Sequence, residues 1–348
     1  MVLRVAFAVI LAAGFVYGWN RLDQIPILVV GQPTSVGPIQ SELEAPFFKN
    51  LAANTGLPIT VTYQSNDELG LKDTFQLKLL KTGSLDLVSL RMPQNVATEP
   101  TLLGLDLVGF TTDVSKARAA AQAYSPIVDA RIDDKYHAKL LGVWSFGPQV
   151  IFCGKPVTKL ADLAGLRIRV PNDTFAPMLR SVGALPMVIP FEDVQSNLQN
   201  GAVDCAISSA ASGYSAGWAD YSTHLYLLTL EFGVNAYVIS DKIWDKLTGP
   251  QQRVLTDAFA RHVDNIWDEA KRLDGQATAC LTGGPCQLGP PRHLIATVPS
   301  ASDTAVVAQR FDDVTFREWA ARCDAVNPGC ADRWRAAVGP VVSAKPGK

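Results

Sequence analysis

LADLAGLRIRVPNDTFAPMLRSVGALPMVIPFEDVQSNLQNGAVDCAISS, residues 160–209, is the stretch whose reading decides the fold. It holds three short apolar runs, LRIRV, PMVIPF and AVDCAIS, separated by two segments of helical periodicity. Phe175, Met178, Leu179 and Val182 share one face of the first segment, and Val194 and Leu198 one face of the second. Gly183 and Gly201 follow these segments, where a left-handed cap costs little. Strand, helix, strand, helix, strand with short connections predicts parallel pairing through right-handed crossovers. All three strands then end on one edge, and open sheets of this kind bind ligands beyond the carboxyl ends of their strands. Arg169 stands at the end of the first strand, and Ser208 and Ser209 at the end of the third. A guanidinium at such an edge offers a planar fork that pairs with a carboxylate through two parallel hydrogen bonds. One arginine near a strand end is also what an ordinary α/β surface carries. Arg167, two residues earlier, reads as a solvated charge at the amino end.

DLAGLRIRVPN followed by the glycine-bounded NLQNGAVDCA resembles the substrate-binding proteins of tripartite ATP-independent periplasmic (TRAP) transporters. The similarity is specific over residues 140–275 and looser on either side. In that family the arginine of R-V-P clamps an organic acid, and the residue matching it is Arg169; Asn172 follows that motif directly. The resemblance implies a two-lobed periplasmic binding protein of type II-like α/β fold, two sheets joined by crossing strands and a long bridging helix. It also implies an organic-acid ligand, TRAP membrane subunits as partners and a periplasmic location; a monomer is expected, though the sequence itself does not fix the oligomeric state. The family often has a second arginine in a G-x-R-x-[IL] context, and this chain has Gln149 there. A glutamine occupies that place in a metal-using subset, but its Glu-Trp pair is replaced by Ile207 and Ser208. The Glu-Asn pair of the sialic-acid subset is missing too. No metal and no cofactor are expected, and the ligand class stays at an anion with one carboxylate.

Upstream, PILVV (26–30), PITVTYQ (58–64) and LDLVSL (85–90) read as strands separated by helical segments, the second of them Thr74 to Lys81. This repeats the logic of residues 160–209, so two α/β lobes are expected. Gln32 and Arg91 fall at strand ends facing the same cleft, Arg91 as a second cation or a rim charge. Leu107 to Tyr136 reads as helical. LLGVWSFGPQVIFC (140–153) is the crossing into the second lobe, with Trp144 and Phe146 as an apolar wall for the pocket or as core. VNAYVIS (234–240) returns to the first lobe and carries Asn235 near the crossing.

Thr248 with Gln251 three places on forms a capping box. The helix behind it, with Leu255, Phe259, Val263, Ile266, Trp267, Ala270 and Leu273 on one side, runs about 28 residues, roughly 40 Å, enough to lie across both lobes. Lobe I is then read as 25–147 plus 234–262, and lobe II as 148–233 plus 263–342, with the carboxyl-terminal helices packed on the second lobe.

The 348 residues are 48% hydrophobic and 18% charged, with a net charge of -2. That length suffices for two packed lobes, and the absence of a basic block gives no footprint for nucleic acid. GxxxxGK[ST], GxGxxG after a strand and HExxH do not occur, so the common phosphate, dinucleotide and zinc-protease signatures are missing. Residues 1–19 combine Arg4 with an apolar run too short for a comfortable span, the layout of a secretory signal; a retained anchor is the competing reading. Cys280 and Cys286, and Cys323 and Cys330, bracket turn-rich segments suited to small disulfide loops, each worth roughly 2–3 kcal/mol in the chain-entropy model. Zinc spacing and a histidine pair are lacking. Cys153 and Cys205 lie in strand-like runs and are read as buried thiols, a third bridge being the alternative. Two rival functions follow: a membrane-tethered sensor of the same fold, and a hydrolase pairing Cys153 or Cys205 with His224. Nothing at motif level supports the second, and His224 reads as structural.

Overall fold

A computed structural model describes residues 24–95 and 99–343. The apolar amino-terminal segment, signal or anchor, lies outside the described residues.

Two sheets organise the chain. The first contains β1 (Ile25–Gly31), β2 (Ile59–Ser65), β3 (Leu87–Leu90), β4 (Ala138–Ser145) and β10 (Val234–Ser240), in the order β2-β1-β3-β10-β4. The second contains β5 (Gln149–Cys153), β6 (Arg167–Val170), β7 (Leu185–Val188), β8 (Cys205–Ser209), β9 (His224–Tyr226) and β11 (Ile295–Thr297), in the order β11-β9-β5-β8-β6-β7. β6, β7 and β8 pair in parallel as the alternation of residues 160–209 requires. β1, β2 and β3 do the same in the first sheet. β10 enters antiparallel to β3 and β4, and β5 antiparallel to β8 and β9. Each sheet is therefore a parallel unit joined by antiparallel strands, of which β10 in the first and β5 in the second arrive directly from the other sheet.

The stretch read as one crossing strand is two. β4 ends at Ser145 and β5 begins at Gln149, because Gly147 takes φ +93° and Pro148 offers no N–H to a ladder. The second crossing, residues 227–233, runs beside the first. Phe146 N donates to Gly233 O at 3.0 Å, Gln149 N to Glu231 O at 2.8 Å and Leu230 N to Gln149 O at 3.1 Å. The Ser145 hydroxyl donates to Phe232 O. Backbone polar groups that leave one sheet thus pair with each other before entering the next.

The helix Gly249–Leu281 has 33 residues, longer than the 28 expected. Its capping box forms, with Thr248 N donating to Gln251 Oε1 at 2.8 Å. It buries Leu255, Phe259, Val263, Ile266, Trp267, Ala270 and Leu273. Trp267 Nε1 donates to Val143 O on β4 at 3.0 Å, while the same helix packs on Ala210–Ser215, which follows β8. It therefore touches elements of both sheets. Among the described residues no helix is long and apolar enough to cross a membrane.

Three sequence expectations need correction. The helical segment begins at Val114, not Leu107; Asp113 caps it by accepting from Ser115 N and Lys116 N. The carboxyl-terminal helices do not keep to the second lobe. Trp319 Nε1 donates to Pro100 O at 2.9 Å, and Cys330–Ser343 packs on Val114–Tyr136, whereas Val307 joins the core of the second sheet. Finally, Cys153 and Cys205 are not thiols but a disulfide. They are directly opposed in the antiparallel β5–β8 register, with Cα atoms 4.1 Å apart, so the two sulfurs meet on one face. The bridges Cys280–Cys286 and Cys323–Cys330 form as expected. With Cys153 bound to Cys205, the hydrolase reading loses its nucleophile.

Candidate functional site

β6 delivers Arg169 to the carboxyl edge of the second sheet, where the chain breaks at Pro171 and turns into the helix Phe175–Ser181. The side chain is 1% exposed. Nε donates to Ile189 O at 2.8 Å and Nη1 to Ile207 O at 2.8 Å, fixing the plane of the guanidinium by two main-chain carbonyls. No carboxylate of the described residues pairs with it. Burial, and next the charge of Arg91, push its pKa down to about 9. The site thus holds a desolvated cation that an anion would complete.

Arg91 follows β3 and reaches the same cleft from the first sheet. Nε donates to Gln32 Oε1 at 2.9 Å and Nη1 pairs with Asp73 Oδ2 at 3.1 Å. Gln32 in turn donates to Ser89 O at 2.9 Å. Glu44, fully buried, accepts from Ser89 Oγ at 2.7 Å and Gln32 N at 2.7 Å. Both arginines approach Phe191, their guanidinium carbons 5.4 Å and 6.0 Å from its ring centre, and Arg169 also lies 5.6 Å from the ring of Trp218.

Arg91, Arg169 and Phe191 line a void of about 50 Å³ together with Gln149, Ser208, Asn235, Phe146, Ser212 and Glu231. A larger opening of about 400 Å³ adjoins it across Arg91 and Phe191 and is walled by Asn66, Asp67, Asp73 and Glu192. Gln149 Nε2 donates to Gly147 O at 3.0 Å, and Asn235 Nδ2 to Gly233 O at 3.1 Å. Gly233, at φ +57°, lets these chains approach: a Cβ there would fall 2.6 Å from Gln149 Nε2.

Of the residues singled out in the sequence, Arg169, Arg91, Gln149, Ser208 and Asn235 meet in this cleft. Gln32 stands behind Arg91 and orients it. Trp144 does not form a wall: it is fully buried against Tyr237 and Phe146, in the end of β4 where Val143 and Ser145 are buried too. Phe146, beyond the end of β4, does line the void. Ser209 is a helix cap, accepting from Ser212 N at 3.2 Å. Asn172 folds back to accept from Thr174 N at 2.8 Å. His224 bonds only to the neighbouring Thr223 hydroxyl, at 2.8 Å, on the far side of β5.

Sequence reading missed Phe191, Ser212 and Glu231. Glu231 carried a signal: it is a lone acid inside LTLEFGVNAYVIS, and Asp106 is another inside LLGLDLVGF. The two meet. Glu231 accepts from Gly233 N and Asp106 accepts from Val234 N at 2.8 Å; two successive main-chain N–H groups thus hold the two carboxyl groups near each other, and each perturbs the other's titration. Burial first, and for Glu231 next the charge of Asp106, push both above the ordinary carboxylate range.

Comparison with known proteins follows the same lines. The solute-binding protein RD1_1052 of Roseobacter denitrificans is 25% identical over 226 residues, 62% of this chain and 66% of its own length. A TRAP periplasmic solute-binding protein from Desulfovibrio salexigens with bound orotic acid shares the fold at a TM-score of 0.79 and 15% identity, covering 91% of this chain and 99% of that one. Another from Desulfovibrio desulfuricans with bound sn-glycerol-3-phosphate does so at 0.78 and 19%, covering 93% and 99%. Residues 34–293, from the loop after β1 to the strand-like segment before β11, match one family throughout, and the chain belongs to the bacterial extracellular solute-binding proteins of family 7, DctP.

Proposed function

We propose that this protein captures a small organic acid in the cleft between its sheets, in the periplasm, and delivers it as a monomer to a TRAP-type membrane transporter. The observation that carries the reading is the state of Arg169: a buried guanidinium, held in orientation by two carbonyls, with no anionic partner among the described residues. Its remaining edge meets the void. A carboxylate there would replace water with a charge-assisted pair in a dry setting, where such a pair is strongest. Orotate and sn-glycerol-3-phosphate, bound by the two similar structures, are both anions a guanidinium fork can take. Gln149, Ser208 and Asn235 supply polar groups to orient the rest of the solute, and Phe146 and Phe191 supply apolar wall. Membership of a family of extracellular solute-binding proteins supports a receptor rather than an enzyme. Lobe I as 25–147 plus 234–262, and lobe II as 148–233 plus part of the remainder, is the division proposed to close on the solute.

Calorimetry with the cognate acid, found by a thermal-shift screen of organic acids, tests the clamp. Arg169→Ala should weaken binding roughly a hundredfold or more, as truncating one partner of a buried charge pair does. Arg169→Lys should recover little, because a point charge cannot reproduce two parallel bonds. Undiminished affinity of the alanine variant would remove the clamp.

A further inference from the structure

Arg169 has a counterpart across the void. The titratable groups around the cleft are Arg91, Arg169 and Glu231 in the wall, Asp73 paired to Arg91, Asp106 beside Glu231, and Glu192 in the adjoining opening. Arg91 and Asp73 cancel. Glu231 and Asp106 are anchored on the successive N–H groups of Gly233 and Val234, and two buried carboxyl groups held so near each other do not both ionise: they keep one proton and carry one negative charge. Glu192, with Asp67 and Lys72 of the same opening, is exposed, where solvent and salt screen its charge. Among the buried groups of the wall that leaves one uncompensated cation, Arg169, and one uncompensated anion, the Glu231–Asp106 pair. Each is buried to about 1% exposure, and they do not pair with each other. Glu231 belongs to one crossing segment and Arg169 to the second sheet, so the backbone holds them apart at separate parts of the same wall.

We infer that the cleft selects an amphoteric solute, a carboxylate carrying an ammonium or similar N–H cation a few bonds away, and that Glu231 is the residue that selects it. The inference rests on the reading that Arg169 takes the carboxylate. Such a solute is neutral overall and satisfies both ends. A dicarboxylate sets its second charge against the acid pair, and like charges brought together in a desolvated site are strongly disfavoured. A simple monocarboxylate satisfies Arg169 and leaves the acid end unanswered. The void of about 50 Å³ has room for roughly three to five water-sized groups, which suits a short chain between the two charges.

The test uses matched pairs in which one carboxylate is exchanged for an ammonium: succinate against β-alanine, and glutarate against 4-aminobutyrate, with butyrate between them. Affinities are measured by calorimetry on the full chain and on Glu231→Gln, whose amide oxygen still accepts from Gly233 N. The amino acids should bind the native protein at least about tenfold more tightly than the diacids, and that gap should shrink severalfold in Glu231→Gln. Diacids binding as tightly as the amino acids would overturn the inference while leaving the Arg169 clamp standing. A native preference that Glu231→Gln leaves unchanged would overturn the role of Glu231. If no member binds the native protein, the inference and the clamp reading fall together for small acids. If Glu231→Gln does not fold, the native ranking alone still decides whether the cleft prefers amphoteric solutes.

Discussion

Arg167 and Arg169 sit one residue apart from being neighbours on β6 and point to the same side of the sheet, yet they lead opposite lives. Arg167, at the amino end, forms a two-pronged pair with Asp204: Nε to Oδ2 at 3.0 Å and Nη2 to Oδ1 at 3.0 Å. Lys155 reaches Asp204 Oδ1 as well, at 2.7 Å. The Arg167 side chain is 42% exposed. Arg169, about 7 Å further along the strand, is buried and donates to carbonyls alone. Residue type and sheet face are identical, so neither explains the difference. Position along the strand does: the amino end closes over a finished ion pair, and the carboxyl end opens into a void.

The contrast predicts that binding and stability separate between the two ends. The largest effect belongs to Arg169→Ala, which should cost roughly a hundredfold or more in affinity. In the unliganded protein the same change should move stability by no more than about 2 kcal/mol, because relief of a desolvated charge offsets two carbonyls left without donors. A larger loss by urea titration would make Arg169 a structural clamp first. Asp204→Asn should do the reverse, lowering stability by about 2 kcal/mol through lost charge-assisted bonds to Arg167 N and its guanidinium while leaving ligand affinity within about twofold. Smallest is Arg167→Ala, an exposed partner worth under about 1 kcal/mol.

The hydrogen bonds from Arg167 hold the Asp204 carboxyl below its usual range. Because the folded value lies under the unfolded one, the contribution of Asp204 is complete above about pH 4 and is lost as pH falls toward the folded value. The stability gap between native protein and Asp204→Asn should therefore be constant from pH 5 to 8 and narrow at pH 3. A gap that widens in acid would contradict the assignment of the pair.

How much of this was visible in the chain itself depends on how local each feature is. LRIRV, its flanking glycines and the R-V-P order place β6 and Arg169 directly, since strand, turn and strand end are encoded within a dozen residues. Gln149 and Asn235 could be placed because each borders a crossing. Phe191 and Glu231 could not, because their position in the wall depends on where two segments from different sheets come together. The Cys153–Cys205 bond escaped for a similar reason: it requires the antiparallel register of β5 and β8, and residues 52 apart in sequence give no hint of that register. Trp144 failed because the strand breaks: residues 144 and 146 have the same parity and would share a face of a continuous strand, but β4 ends at Ser145 and only Phe146, beyond that end, lines the void. The lone acids Asp106 and Glu231 were readable as anomalies. An ionisable group inside an apolar run asks for a partner, and here each is the other's.

One consequence follows from the way the two crossings are laced together. Phe146 and Gln149 on one, and Glu231 and Gly233 on the other, are both ties between the sheets and part of the lining of the void. In the receptor proposed above, cargo and axle share the same atoms: a swing of one half against the other would have its fulcrum at the point of contact, and what sits in the cleft would reach the outer surface through the shortest available lever.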